Sequence, residues 1–183
     1  MAEKGVVVDS DLDFSRAVAG TAAPPEILDS LCLIDVWYCG FDGRRHGGQL
    51  VVHRDLSEEL QELFALMERR RFPIAGATPI VCFDWSDEAS MNADNSSAFN
   101  YRFIAGTVRL SGHALGRAVD INPCENPAIY PDGSIVPAGG AWRPGNPGTF
   151  TEDHPVVGAF QEMGWRWGGN FTHIRDYHHF EKF

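Results

Sequence analysis

Apolar residues fall into short blocks along this chain, and only two stretches carry a clear helical period. Leu33-Ile-Asp-Val-Trp-Tyr38 and Gln49-Leu-Val-Val52 are β-prone runs joined across Gly-, Asp- and Arg-rich residues, which predicts two paired strands. Leu56, Leu60, Leu63, Phe64 and Met67 then recur at helical spacing, with Asp55 as the expected cap and Glu58 completing a capping-box-like start. Pro73 stops that helix, and Ile80-Val-Cys-Phe83 predicts a strand leading toward Arg102. Pro155 opens a second helix, with Val156, Phe160 and Met163 on one face and Gly164 at its end. Trp165 and Trp167 alternate into a final strand, at a spacing that is more often core than cleft. Residues ahead of Pro24-Pro25 read as weakly helical, and Ser86 to Ser97 as an exposed polar loop. The Pro/Gly-rich segment from Pro123 to Gly148 is too long for a simple turn and reads as the rim of a cleft. The layout is α+β: a single domain with a small antiparallel sheet and flanking helices, without internal repeats.

Composition narrows the classes. With 183 residues and 44% hydrophobic content the chain has ample core, and no apolar run approaches the roughly 18 residues needed to span a bilayer. A net charge of −10 argues against nucleic acid as a partner, since the only basic cluster, Arg69-Arg70-Arg71, reads as the end of a helix. Cys32, Cys39, Cys82 and Cys124 are scattered without a Cys-x-x-Cys pair, so free thiols are expected rather than a disulfide framework. The first residues lack the long apolar segment of a secretory signal.

Two clusters carry the candidate chemistry. Ser111-Gly-His113-Ala-Leu-Gly116-Arg-Ala118-Val-Asp120 supplies one imidazole and one carboxylate, and Asp176-Tyr-His178-His179-Phe180-Glu181 supplies another imidazole with a carboxylate three residues before it. That is the inventory of a catalytic zinc with one open position, whereas structural zinc is normally closed by four protein ligands. Asp120 lies in the β-prone run Ala118-Val-Asp120-Ile121, where a core-facing carboxylate costs several kcal/mol unless a cation or donors match it. The other reading of Asp120 is a solvent-facing residue on an alternating strand. In the second cluster, a strand would put Asp176 and His178 on one face and His179 on the other, whereas a bend would bring Asp176 and His179 together. Spacing leaves both open. His46 and His53 read as surface or strand-end residues, His154 as the residue before a helix start and His173 as part of a polar loop.

The combined pattern resembles the zinc D-Ala-D-Ala carboxypeptidase-like peptidases, which include vancomycin-resistance dipeptidases and L-alanyl-D-glutamate endopeptidases. The likeness extends to Asp120-Ile-Asn122-Pro123, Asn126-Pro127, the Asp132-Gly133 turn, Gly164-Trp165-x-Trp167-Gly168-Gly169, Arg71-Phe72-Pro73-Ile74 and Asn100-Tyr101-Arg102, and covers about residues 33 to 183. These features look most like the endopeptidase branch. The resemblance implies a Hedgehog- and DD-peptidase-like fold over residues 31–183, preceded by a segment, 1–30, of unassigned role.

The resemblance also implies one zinc ion per chain held by His113, Asp120 and His179, with Asp176 as the acid/base, Arg102 as the stabiliser of the developing oxyanion, and Ser111 holding substrate or ordering the site. His178 is then left as a rim or outer donor. The implied substrate is a peptidoglycan stem peptide, cut at L-Ala-D-Glu or, as the alternative, at a terminal D-Ala. Action at the cell wall then requires a removed signal, another export route or release by lysis. Two rivals differ in class: a non-haem iron oxygenase, which shares two histidines and a carboxylate but leaves Asp176 unexplained, and a non-catalytic zinc module of the Hedgehog kind, which does not require Asp176 and Arg102.

Overall fold

The structure is a computed structural model and describes residues 5–104 and 106–183. In chain order the regular elements are β1 (Val7–Val8), α1 (Phe14–Ala17), α2 (Pro25–Leu28), β2 (Leu31–Cys39), β3 (Arg45–His53), α3 (Ser57–Arg69), α4 (Asp87–Asn92), β4 (Ala118–Asp120), β5 (Ala128–Ile129), β6 (Ile135–Val136), α5 (Pro155–Glu162), β7 (Arg166–Trp167), β8 (Arg175–Asp176) and β9 (His179–Glu181). The architecture is α+β. Its strands sort into three small sheets, ordered β1-β3-β2, β4-β9-β7 and β6-β5-β8. Among the described strands the pairings are antiparallel except β1 with β3, so the bulk of the sheet structure comes from hairpins and returning strands.

The β2–β3 hairpin is the scaffold, with Leu31 opposite His53 and Cys39 opposite Arg45. Its inward face takes α3 through Leu60, Leu63, Phe64 and Met67, all fully buried as their spacing predicts. The start of α3 differs from expectation. Arg54–Leu56 forms a 3-10 turn, the backbone N–H of Asp55 donates to His53 Nδ1, and the Asp55 carboxylate pairs with Arg117 at 3.1 Å instead of capping the helix. The helix ends at Arg69, ahead of Pro73, and Arg71 takes a left-handed backbone with φ of 54°.

Three other predicted elements change. Ile80–Phe83 is a 3-10 turn, not a strand. The polar stretch after it contains α4, capped by Ser86 Oγ accepting from Ala89 N–H, and it ends on buried Asn95, Ser96 and Ser97. Pro25 begins α2 rather than ending a helix, because proline suits the first helical position, where no N–H is needed. The segment before residue 30 packs Ala17, Phe14 and Ile27 around Leu31, Val51 and Phe99 on the outer face of the hairpin.

The core packed against α3 continues around β9. Phe180 is fully buried, stacks on Phe160 at 4.0 Å between ring centroids, and meets Phe150 edge-on at 5.2 Å. Trp165 and Trp167 are also buried. The Pro123–Gly148 segment is more than a rim: its β5 and β6 form a hairpin, and β5 pairs directly with β8, Ala128 facing Asp176. Trp142 clamps it further, stacking on Tyr177 at 4.2 Å and donating Nε1–H to Phe150 O. All four cysteines are free, with Cys82 exposed and the other three half-buried.

Phe180→Ala removes the ring on which both α5 and β7 rest, and is expected to cost about 3–5 kcal/mol of folding stability, measured by chemical denaturation. A loss under 1 kcal/mol would mean the cluster repacks around the gap. Glu125 supplies a pH test. Burial, reinforced by a hydrogen bond and charge from Asp94, raises its carboxyl to about 8. A raised acid binds its proton more tightly folded than unfolded, so its cost is absent below the ordinary glutamate value and grows as pH rises toward 8. Glu125→Gln should therefore raise the melting midpoint at pH 7–8 and leave it unchanged near pH 4. Equal shifts at both pH values would contradict this.

Candidate metal and catalytic site

The site forms where the sheet of β4 and β9 meets the 3-10 turn Gly112–Leu115. Ser111 starts that turn by accepting the His113 N–H on its hydroxyl at 3.3 Å, and Gly116 ends it in a left-handed conformation with φ of 63°. A Cβ at position 116 would lie 2.6 Å from the backbone nitrogen of His53, so only glycine lets the turn sit this close to the hairpin. His113 is thereby buried, with its Nδ1–H donated to Ala98 O at 2.6 Å. This bond leaves Nε2 as the nitrogen that faces the site.

Asp120 and His179 are direct partners across the antiparallel β4–β9 pair. Asp120 is 4% exposed, so the core-facing reading of this carboxylate holds over the solvent-facing one. Its Oδ1 lies 3.0 Å from His179 Nδ1 and its Oδ2 3.2 Å from His113 Nε2, while the two imidazole nitrogens are 3.2 Å apart. Donors held at about 2.0–2.1 Å around a tetrahedral zinc are separated by about 3.3–3.4 Å. The three side chains therefore offer a donor triangle of the right size and composition, two nitrogens and a carboxylate oxygen, for one such ion. Among the described residues, this is the one group of three His, Cys, Asp or Glu side chains with that convergence.

Residues 177 and 178 form the turn between β8 and β9, and this bend sends His178 and His179 to different tasks. His179 joins the triangle. His178 is buried at 4% exposure, so it is not a rim residue: its Nε2 lies 2.9 Å from Asp176 Oδ1 and 3.9 Å from Asp120 Oδ2. Asp176 thus stands one imidazole away from the triangle and outside it. Gly168 makes this approach feasible, since a Cβ there would fall 2.4 Å from Asp176 O.

The electrostatics follow from this packing. Burial alone would raise Asp120, but the charges of His113 and His178 and hydrogen bonds from His113 and His179 outweigh it and hold the carboxyl well below its usual range. Asp176 is also lowered, burial again being overcome by the charge and hydrogen bond of His178. The imidazoles move the opposite way. Burial opposes the charge on His178, yet Asp176 and Asp120 raise it to about 9; burial likewise opposes the charge on His179, which bonds to Asp120 and Glu181 raise to about 10.

The remaining expected residues lie outside the triangle. Arg102 is joined to the turn through its carbonyl, which accepts Ser111 N–H at 3.1 Å, and its Nη2 pairs with Asp87 Oδ2 at 3.1 Å. Its Nε–H is covered and has no partner among the described residues. The Ser111 hydroxyl is engaged with the backbone of His113, an ordering task. His46 and His53 lie on β3, His154 accepts Val156 N–H at the start of α5, and His173 is exposed, all outside the triangle. Two contributors escaped the sequence reading. Asn122, with φ of 49°, accepts Ala75 N–H and donates to Pro73 O and Gly148 O, anchoring the exit of β4. Glu181 accepts from His179 Nε2 at 3.4 Å; its spacing of two from His179 on a strand was the available signal.

A three-donor cluster with a carboxylate beside it is the equipment of a metallohydrolase. Residues 105–182, the stretch that carries both halves of the site, match the family model described as D-alanyl-D-alanine carboxypeptidase. The match suggests a peptidoglycan-related metallopeptidase. Comparison with curated proteins and with solved structures gave no match. No described helix is long and apolar enough to cross a membrane.

Proposed function

We propose that this protein is a zinc-dependent peptidase that hydrolyses peptidoglycan stem peptides, most readily the L-Ala-D-Glu bond, and acts at the cell wall. The observation that carries the reading is the position of Asp176, a carboxylate held beside the His113–Asp120–His179 triangle by His178 without being part of it. A binding module needs the triangle alone, and a ferrous oxygenase has no use for the extra carboxylate.

One zinc ion, held by His113 Nε2, Asp120 and His179 Nδ1, would supply a water that ionises near neutral pH and a positive charge against the scissile carbonyl. Asp176 accepts the proton of the attacking water on a carboxylate oxygen and returns it to the departing amine as the C–N bond breaks. His178 keeps Asp176 ionised and aimed. Arg102, whose Nε–H has no partner among the described residues, is assigned the developing oxyanion, a contribution of about 3–4 kcal/mol for a well-placed donor. Ser111 keeps the turn that presents His113 in place. Residues 31–183 form the peptidase unit in this reading, and the segment before them supports the hairpin.

The preference for L-Ala-D-Glu rests on the Asp176-Tyr-His178-His179 motif with Asn122-Pro123 and Gly168-Gly169, which resemble the endopeptidase branch. Removal of a terminal D-Ala is the second reading, favoured by the description of the matching family.

Metal analysis after dialysis should find one zinc per chain in the unaltered protein and in His178→Ala, and none in His113→Ala, Asp120→Ala or His179→Ala. A His178→Ala protein without zinc, next to a zinc-loaded His179→Ala, would reverse the roles of the two histidines. Asp176→Asn should retain zinc and lose about 100-fold or more of the activity, since an amide cannot take the proton. Mass spectrometry of digested muropeptides reads the bond: cleavage after L-Ala supports the endopeptidase, and loss of one D-Ala with that bond intact selects the carboxypeptidase. A zinc-loaded protein that cuts neither would make it a binding module.

A further inference from the structure

β9 is the central strand of its sheet, and residues two apart on a strand share a face. His179 and Glu181 therefore lie side by side, with Phe180 turned into the core. Across the pair, Asp120 faces His179 but Ala118 faces Glu181, and the small side chain leaves room for the carboxylate to reach back toward the imidazole. Gly112 lines the same space: a Cβ there would sit 3.2 Å from Ala118 Cβ and 3.6 Å from Glu181 Oε2. The two oxygens of Glu181 divide their partners, Oε1 toward Arg166 Nη1 at 3.3 Å and Oε2 toward His179 Nε2 at 3.4 Å. Glu181 and His179 are both largely shielded, their side chains 15% and 12% exposed, so water competes weakly for this bond.

We propose that Glu181 is a positioning residue, whose carboxylate accepts the Nε2–H of His179, locks the tautomer that turns Nδ1 toward Asp120 and His113, and so sets the affinity of the site for a divalent metal. The inference rests on the metal-site reading above. His113 has its own lock in the carbonyl of Ala98, so each imidazole of the triangle has one nitrogen held from behind and the other presented to the centre. The two locks differ in kind. A neutral carbonyl fixes orientation, whereas a carboxylate also makes the imidazole a stronger electron donor.

The test is zinc affinity of the full chain, measured by competition with a chromogenic chelator at fixed pH, for the unaltered protein, Glu181→Ala and Glu181→Gln. Outer partners of this type are worth about 10- to 100-fold in metal affinity, and that loss is expected for Glu181→Ala. Glu181→Gln keeps an acceptor without the charge and should lose less than Glu181→Ala but still about threefold or more, since neutral hydrogen bonds are roughly half as strong as charge-assisted ones. Cobalt in place of zinc gives a second readout, because a tilted or re-tautomerised His179 shifts the visible absorption of the bound ion. Glu181 variants that match the unaltered protein in affinity and in the cobalt spectrum would overturn the inference. If Glu181→Ala does not fold, Glu181→Gln decides alone, and affinity equal to that of the unaltered protein counts against the proposal. If the unaltered protein binds neither metal, it is the metal-site reading that fails.

Discussion

A carboxylate removed from water is the constraint on which this structure turns. Asp120 is almost completely covered, and such a group is tolerated only if its surroundings answer its charge. Three imidazoles do so, from a 3-10 turn, a neighbouring strand and the bend before that strand. His113 precedes Asp120 by one short turn, whereas His179 lies 59 positions beyond it, so the two imidazoles of the second cluster must be brought from a distance. The β4–β9 pair is thus at once the centre of a sheet and the frame of a polar cluster. Its register leaves no freedom, because a slip of one residue would put Phe180 into the cluster and His179 into the aromatic core.

Much of this was legible in the chain itself. The helical face of α3, the hairpin, the proline start of α5 and the burial of Trp165 and Trp167 all follow from periodicity and punctuation, signals that depend on neighbours in sequence. The failures have a shared cause. Ile80–Phe83 has the composition of a strand, but Pro79 before it and the left-handed Asp84 after it leave no room for a ladder, so four apolar residues close into a 3-10 turn. The loop after it looked exposed because its residues are polar; Asn95 is instead buried by spending its side chain on Thr78 and Ser90. Hydrogen-bond partners 5 and 17 positions away do not show in a hydropathy pattern.

The site was legible in its parts and not in its arrangement. Spacing alone left His178 and His179 exchangeable, and only the turn between β8 and β9, which follows from pairing β8 with β5, separates them. That pairing partner lies in the Pro/Gly-rich segment, so a stretch that reads as a rim is in fact the template that aims Asp176. Ser111 shows the reverse: its place beside His113 was visible, but its service to the backbone became clear only with the turn in view.

One further consequence follows from the alternation along β9. Three consecutive residues serve, in turn, the polar cluster, the aromatic core and the polar cluster again. The strand cannot breathe locally, since an opening wide enough to displace His179 also pulls Phe180 from between Phe150 and Phe160, and such an opening approaches the cost of global unfolding. Any adjustment of the molecule to a partner must then come from elsewhere. The segment in which Phe103 pairs with Leu110, with exposed Ile104 and Val108, and the turn at Asp132-Gly133 lie outside the pairing of β9. The alternation along β9 thus confines tolerance for insertions and sequence drift to loops that carry neither the polar cluster nor the aromatic core.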